Sequence, residues 1–442
     1  MRILSFLPAL ALLAPLTALA PAASDVDYEA DVEFALDELK QQCGGFFRLK
    51  EIDWKKVSKE FSKAAKDVDS PEEHRVLLQR LLARLKDGHC EVRPTAAAGD
   101  VGWPEGFWQE QAGAGFFLCQ VGKKFYVKRA WSVAADVGLE AGSEVIKIDS
   151  LAAKKWVEER EAELADRFSY STPQHLRFSA LHHGITAESG GRMKLEVKTP
   201  EGKKKKKTIS IGRTKQFIEG AVYFPEGVKW AGESVRYGRT EKGNAYVQVR
   251  RVRSEVLDEL DEALAAVADA PGLILDFRGN TGGGCNHDAL EGRFVPAGHK
   301  MQRLAGGPIG SHGDHPYGGP MVVIVDGTVV SAGETTSGMF KEDGRAYMIG
   351  ESPTAGMSSQ KTTIELPSGL FELYVSTRSN RQSFNQGRGI EGIGVAPHER
   401  LEYDPKELAA GVDTMIRRAE ELLADYPQDE LEYDPADFGW GR

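Results

Sequence analysis

Ser331 stands where a buried strand meets a helix start. Met321–Val325 is an uninterrupted apolar run, Asp326-Gly327 breaks it, and Ser331-Ala332-Gly333-Glu334 opens a segment of helical character. A serine on such a turn exposes its hydroxyl, and the free N–H groups at the helix N-terminus can hold an oxyanion. The chemistry this suits is nucleophilic attack on a carbonyl. The same four residues also fit the S/T-x-x-E capping box, in which the hydroxyl only satisfies backbone donors. Two other stretches carry chemistry-bearing groups. Asp87-Gly88-His89 follows a helical stretch, and an imidazole can exchange protons near neutral pH; it is also one of ten histidines and could be an ordinary loop residue. Asp276–Gly284, D-F-R-G-N-T-G-G-G, follows a buried strand, and its glycines let backbone N–H groups approach a ligand closely. This turn matches neither G-x-G-x-x-G nor the phosphate loop G-x-x-x-x-G-K-S/T, so no nucleotide is read from it.

The elements that must position these groups come from a long chain of ordinary composition. At 442 residues it exceeds one ordinary core and suggests about three domains. Hydrophobic residues make up 41% and charged residues 28%, as in globular proteins. The net charge of −10 without a basic stripe argues against a nucleic-acid partner. The one basic run, Lys203–Lys207, lies between strand-like Met193–Thr199 and Thr208–Ile211 and reads as a solvated hairpin tip. Arg2, the apolar but proline-broken Ile3–Leu19 and the small residues Ala18, Ala20, Ala22 and Ala23 read as a secretory signal over 1–22. That stretch is too short and too broken to span a membrane, and no other stretch could. The expectation is an exported protein, periplasmic or secreted, with no membrane span. Cys43, Cys90, Cys119 and Cys285 show no C-x-x-C and no zinc spacing; one pair could bridge, or all four could be free.

In chain order, residues 23–105 read as a helical region. Apolar residues recur at helical spacing, and Ser70-Pro71-Glu72-Glu73 is a helix start. Residues 106–213 read as short strands and glycine turns, interrupted by a charged helix over Ala152–Phe168 and by helix-like sequence in Thr172–Gly191. His182-His183 in that insertion reads as surface, because adjacent residues on a helix point different ways. Residues 214–425 alternate strands and helices as an α/β core: Ala245–Val249, the amphipathic Val256–Ala268, Gly272–Phe277, Met321–Val325, the helix after Ser331, Ala346–Ile349, a hairpin about Pro367-Ser368-Gly369, and a final helix Pro405–Ala424. Residues 426–442 form an acidic, aromatic tail in which Leu431-Glu432-Tyr433-Asp434-Pro435 repeats Leu401-Glu402-Tyr403-Asp404-Pro405.

Val137–Asp149, with its G-L-x-A-G-S-x-V-I-x-I-D run, resembles a PDZ domain. Gly113-Ala114-Gly115-Phe116 resembles that fold's carboxylate-binding turn, which implies a peptide-binding role for Gly113, Gly115 and Phe116. L-D-F-R-G-N-T-G-G-G at Leu275–Gly284, V-D-G-T-V-V-S-A-G-E at Val325–Glu334 and G-I-E-G-I-G-V-A-P at Gly389–Pro397 resemble, in order and spacing, the C-terminal processing (tail-specific) protease family. The resemblance implies a multidomain α+β chain: an N-terminal helical region, a PDZ-like β-rich domain and an α/β (crotonase/ClpP-like) serine protease core.

Many members of that family use a serine–lysine dyad, with the lysine in a G-K-G-x-V-Q loop. The matching loop here is Ala355-Gly356-Met357-Ser358-Ser359-Gln360, and Gly356 stands at the lysine position. The tricorn-core-like branch instead uses serine, histidine and glutamate, with the histidine in an Asp-Gly-His motif. The resemblance therefore implies Ser331 as nucleophile, His89 as base and Glu391 as the group orienting the imidazole, with Ala332 and Gly282 or Gly283 giving the oxyanion-hole N–H groups. It implies protein or peptide substrates, no cofactor and no metal, and leaves the oligomeric state open. Two other classes compete: a binding protein that keeps the protease fold without catalysis, and a serine hydrolase of non-peptide esters.

Overall fold

The structure, a computed structural model, describes residues 26–104, 111–212, 214 and 222–431. The expected secretory signal and residues 432–442 of the expected tail lie outside the described residues, as does the boundary at residue 106. No helix among the described residues is long and apolar enough to cross a membrane.

Three helices open the described chain: Tyr28–Cys43, Trp54–Ala64 and Pro71–Ala83. Side chains of Asp27, Asp53 and Ser70 cap their N-termini, each accepting a backbone N–H of the first turn. Their apolar faces do not close on themselves. Val32, Leu36, Leu78 and Leu82 share a core with Leu373 and Val375 of the hairpin formed by Ser359–Glu365 and Phe371–Ser379. The strand Glu91–Pro94 pairs antiparallel with that hairpin. Asp87-Gly88-His89 therefore sits between a helix anchored in this core and a strand anchored on the hairpin.

The second region is an antiparallel sheet in the order Phe116–Val121, Lys124–Ala130, Glu144–Ile148, Arg192–Lys198, Lys204–Ser210. The helices Ala153–Arg167 and Pro173–Leu181 are inserted between its third and fourth long strands. The lysine run is not a hairpin tip. Lys204–Lys207 lie in the last, edge strand, where lysines discourage pairing with another chain. His182 is not on the surface either: it is 1% exposed, with ring centroids 4.4 Å from Phe117 and 3.8 Å from Phe178. The helix ends at Leu181, and the turn that follows folds the imidazole inward.

The third region is built on a seven-stranded sheet in the order Lys229–Trp230, Val235–Arg239, Ala245–Val249, Leu273–Asp276, Met321–Val325, Tyr347–Gly350, Glu399–Arg400. The pairings from Ala245–Val249 onward are parallel. These central strands read as unbroken apolar runs because both faces are covered. Val247, Leu275, Val323 and Val325 face the core under the helix Val256–Val267. Tyr246, Ile274, Val322 and Ile324 face the core under Thr414–Ala424. The final helix is two, Pro405–Ala409 and Thr414–Ala424. Asp413 breaks it: its carboxylate caps the second helix through the N–H groups of Met415 and Ile416, and also receives the buried Arg278 guanidinium at 2.9 Å. Arg278 donates to Asp276 and to the Tyr403 hydroxyl as well, so the start of the glycine-rich turn is tied to the far side of the sheet. All four cysteines are free thiols.

Candidate active site

Local sequence builds the serine turn. The strand Met321–Val325 ends, Asp326 turns the chain by accepting the Thr328 N–H at 2.9 Å, and the helix Ala332–Glu342 begins directly after Ser331. Ser331 adopts φ 55°, ψ −120°, a left-handed conformation that strains a residue with a Cβ. The strain is held from below. Glu334 is fully buried, and its carboxylate accepts the N–H groups of Ser331 at 3.1 Å, Gly356 at 2.6 Å and Met357 at 2.7 Å, and the Thr354 hydroxyl at 2.6 Å. Glu334 thus does more than cap a helix: it ties the serine turn to the loop 354–357. Burial pushes its carboxyl up to about 7, against the pull of those four donors.

His89 comes to Ser331 from 242 positions earlier in the chain. Its Nε2 lies 3.3 Å from Ser331 Oγ. The loop that carries it is fastened by Asp87, which accepts the His89 N–H at 3.0 Å and the Ser376 N–H at 3.2 Å, and by Ser171, which accepts the Gly88 N–H at 3.0 Å. Burial holds the His89 imidazole down, to about 4; the Asp87 carboxylate pulls it upward, while Lys361 and Lys50 add to the depression. His89 is therefore the neutral, proton-accepting form across the neutral range. The expected dyad position is Gly356, and Lys341, which is off that position, lies nine residues into the helix after Ala332, about 14 Å along its axis.

The group expected to orient His89 is displaced. Glu391 is near, since its carboxylate, that of Asp87 and a His89 ring nitrogen lie within 4.8 Å of one another. Its Oε1 instead accepts from Lys50 Nζ at 2.7 Å, and its Oε2 is buried with no hydrogen-bond partner. The atom against His89 Nδ1 is Ser359 Oγ at 3.3 Å, itself 2.5 Å from Ser376 Oγ. Asp87 Oδ1 is 4.0 Å from the same nitrogen. Ser359 lies in the loop compared with G-K-G-x-V-Q, so its neighbourhood was marked in the sequence; Lys50, in a turn after the first helix, carried no signal at all. The cluster of Asp87, His89 and Glu391 has the composition of a metal site, yet the Lys50 ammonium already sits against Glu391, so a divalent ion would meet like charge there.

The glycine turn reaches the serine. A Cβ on Gly282, at φ +74°, would lie 2.8 Å from Ser331 Cβ, which requires glycine on both conformational and steric grounds. Of the two glycines expected to donate to an oxyanion, Gly282 is unsuited: its N–H is donated to Asn280 Oδ1 at 2.8 Å. Gly283 follows at φ +131°, close-packed on the Val252 carbonyl, and Ala332 opens the helix after Ser331, where a first-turn N–H has no intrahelical partner.

The expected carboxylate-binding turn is an internal element. Gly113 donates its N–H to the Thr214 carbonyl at 2.8 Å and Ala114 to that of Ile185 at 3.2 Å, and Phe116 is fully buried in the core of its own sheet. The first two donors of the turn are thus used in closing the sheet. The inserted helices reach the catalytic loops instead. Thr172 donates its hydroxyl to the Ala355 carbonyl at 2.7 Å, and Gln174 donates to those of Thr354 and Ile393 at 3.1 and 3.0 Å.

Comparison with known proteins gives this geometry a context. Residues 243–401 match peptidase family S41. The Chlamydia pneumoniae protein CPj1016/CpB1054 is 29% identical over 108 residues, 24% of this chain; the chain spans only 17% of that protein. Among solved structures, mature CPAF is similar with a TM-score of 0.66 at 13% identity, over 91% of this chain and 98% of that one. Mature CPAF complexed with lactacystin gives a TM-score of 0.61 at 13% identity, over 90% of this chain and 97% of that one. At such identities the likeness is one of fold.

Proposed function

We propose that this chain, whose residues 243–401 match peptidase family S41, is an exported serine endopeptidase cleaving proteins or peptides. The observation that carries the reading is the 3.3 Å approach of Ser331 Oγ to His89 Nε2 from a serine held at φ 55° beside a glycine turn. His89 takes the Ser331 proton as Oγ attacks the peptide carbonyl, then gives it to the leaving amine; a water repeats the cycle on the acyl-enzyme. The oxyanion is received by the N–H groups of Ala332 and Gly283, and losing one such donor typically costs about 10²–10³ in kcat. Ser359 meets Nδ1, the other nitrogen of the imidazole, and the carboxylates of Asp87 and Glu391 stabilise its cation. The glutamate thus acts as a nearby charge rather than through the direct hydrogen bond expected of a Ser-His-Glu triad.

The PDZ-like region acts in this reading as a gate on the cleft. The support is that Thr172 and Gln174, from its inserted helices, bond the loops at 354–355 and 393 that flank the serine and Glu391. Export rests on the apolar leader at Ile3–Leu19.

The test is proteolysis of unfolded casein by the mature protein beside Ser331→Ala and His89→Ala, with serine labelling by a fluorophosphonate and by lactacystin, the compound that CPAF binds. Cleavage lost by about 10³-fold or more in both variants supports the mechanism. Cleavage that survives His89→Ala overturns the assigned base. Turnover of simple esters without casein cleavage selects the non-peptide esterase, and a wild-type protein that neither cleaves nor labels is a protease-fold binding protein.

A further inference from the structure

Lys50 belongs to the N-terminal helical region, 341 positions before Glu391, yet its Nζ lies 2.7 Å from Glu391 Oε1 with side-chain exposures of 2% and 0%. Such a pair is a poor way to stabilise a fold. Taking two charges out of water costs several kcal/mol per ion, and the attraction offsets this only where the remaining donors and acceptors are also satisfied. Here they are not: Glu391 Oε2 is buried without a partner. That oxygen belongs to the carboxylate that clusters with Asp87 and the His89 ring.

We propose that Lys50 is a positioning residue of the catalytic centre: its ammonium holds the Glu391 carboxylate in place beside the imidazole and sets the charge against which His89 works. This rests on the Ser331–His89 reading above and adds to it a residue from outside the peptidase-family segment.

The lysine is itself held in a built position. Its N–H is donated to the Phe46 carbonyl at 2.9 Å, and its carbonyl accepts from Lys86 Nζ at 2.8 Å. Its ammonium lies 4.8 Å from the centre of the Phe46 ring. The next residue, Glu51, takes φ 51°, a strained value for a residue with a Cβ. Across the contact, Gly392 makes room: a Cβ there would lie 3.0 Å from Lys50 Cε and 3.2 Å from Leu49 Cδ2. Both sides of the contact are thus shaped around the lysine stem.

The charges facing the ammonium are Glu391 from the closing loop, Asp87 and His89 from the Asp-Gly-His loop, and the thiols Cys43 and Cys90; Lys361, from the hairpin, faces the same acids and the imidazole. Two buried carboxylates so close cannot both ionise cheaply without a cation between them. With Lys50 present, the cluster of Asp87, Glu391 and Lys50 can carry both carboxylates charged at a net charge of −1. The ammonium also repels an imidazolium, which favours the neutral base. When His89 takes the serine proton, the unpartnered Glu391 oxygen is close enough to stabilise the cation that forms.

The experiment measures the pH dependence of fluorophosphonate acylation of Ser331 in the mature full chain for wild type, Lys50→Met, Lys50→Arg, Glu391→Gln and the Lys50→Met/Glu391→Gln double variant. With the ammonium gone, one of the charges that hold the imidazole down is lost while its burial stays, so the acid limb is expected to move up from about 4; a rise of about one pH unit slows acylation at about pH 4.5 about threefold and leaves the rate at about pH 7 unchanged. Lys50→Arg keeps the charge and returns the limb toward wild type. The double variant removes both partners, should melt close to wild type, and should lose less than the two single losses multiplied together, because the pair acts as a unit. A Lys50→Met protein with the wild-type limb and rate overturns the inference. So does a loss equal at every pH that Lys50→Arg does not rescue, since that is the mark of a merely structural lysine. If wild type itself is not acylated, the serine reading fails instead, and the two failures are told apart.

Discussion

Glu334 accepts the Ser331 N–H at 3.1 Å from a carboxylate with no exposure to solvent. A serine at φ 55° persists only where its surroundings over-determine it, and this carboxylate, shared with Gly356 and Met357, supplies the constraint. Glu334→Ala strands the N–H groups of Gly356 and Met357, each worth about 1–3 kcal/mol when unsatisfied, and leaves the Ser331 N–H with the Met357 carbonyl alone, at 2.8 Å. We expect the variant to lose several kcal/mol in urea unfolding and to acylate far more slowly, because the turn relaxes. A Glu334→Ala protein with unchanged stability and acylation would mean that the turn is fixed by something else.

Activity should start at unusually low pH. Burial holds His89 down to about 4, so the base is free of its proton at pH 5, where an exposed imidazole would be mostly cationic. The acid limb of kcat/KM for a peptide substrate is expected near pH 4 rather than 6.5. A limb at 6.5 or above would show that the imidazole is solvated in the working enzyme.

Ser359 offers a hydroxyl to His89 Nδ1 at 3.3 Å. By accepting the proton on that nitrogen it leaves Nε2 free to receive the serine proton. Ser359→Ala is expected to lower kcat about 10- to 100-fold with KM little changed, the pattern of a lost transition-state interaction. Equal kcat in Ser359→Ala and wild type would return the orienting role to Asp87 or Glu391 alone.

Stability should peak in mildly acidic solution and fall toward pH 8. Burial holds the imidazoles of His89, His183, His287 and His398 near 4 and that of His175 near 3, so at low pH the unfolded chain binds more protons and stability rises with pH toward about 6.5. Above that, these imidazoles are neutral in both states. Burial pushes Glu291 up to about 8 and Glu334 to about 7, so there the folded chain binds more protons and stability falls as pH rises. Thermal midpoints of Ser331→Ala, which cannot digest itself, should drop between pH 6.5 and 8, and Glu291→Gln should flatten that slope. A midpoint that rises over this range contradicts the assignment of buried, protonated carboxyls.

What the sequence by itself determined is local. An unbroken apolar run such as Met321–Val325 is a strand covered on both faces, and Asp326-Gly327 followed by Ser331 can only turn and restart as a helix. The glycines of 279–284 announced a close backbone approach, and Ser70-Pro71 announced a helix start. These are rules of period, φ preference and capping that act within a few residues. The tertiary structure alone decided which groups meet. Lys50 and Glu391, or Ser359 and His89, are joined by the packing of the N-terminal helices onto the 359–379 hairpin, and no local period encodes that contact. The same limit explains the reversals. Gly113–Phe116 has the composition of a ligand turn, and Glu391 the position of an orienting acid. Whether their polar groups face a ligand or a neighbour depends on what lies opposite: for Gly113 and Ala114 it is the carbonyls of Thr214 and Ile185, and for Glu391 the ammonium of Lys50.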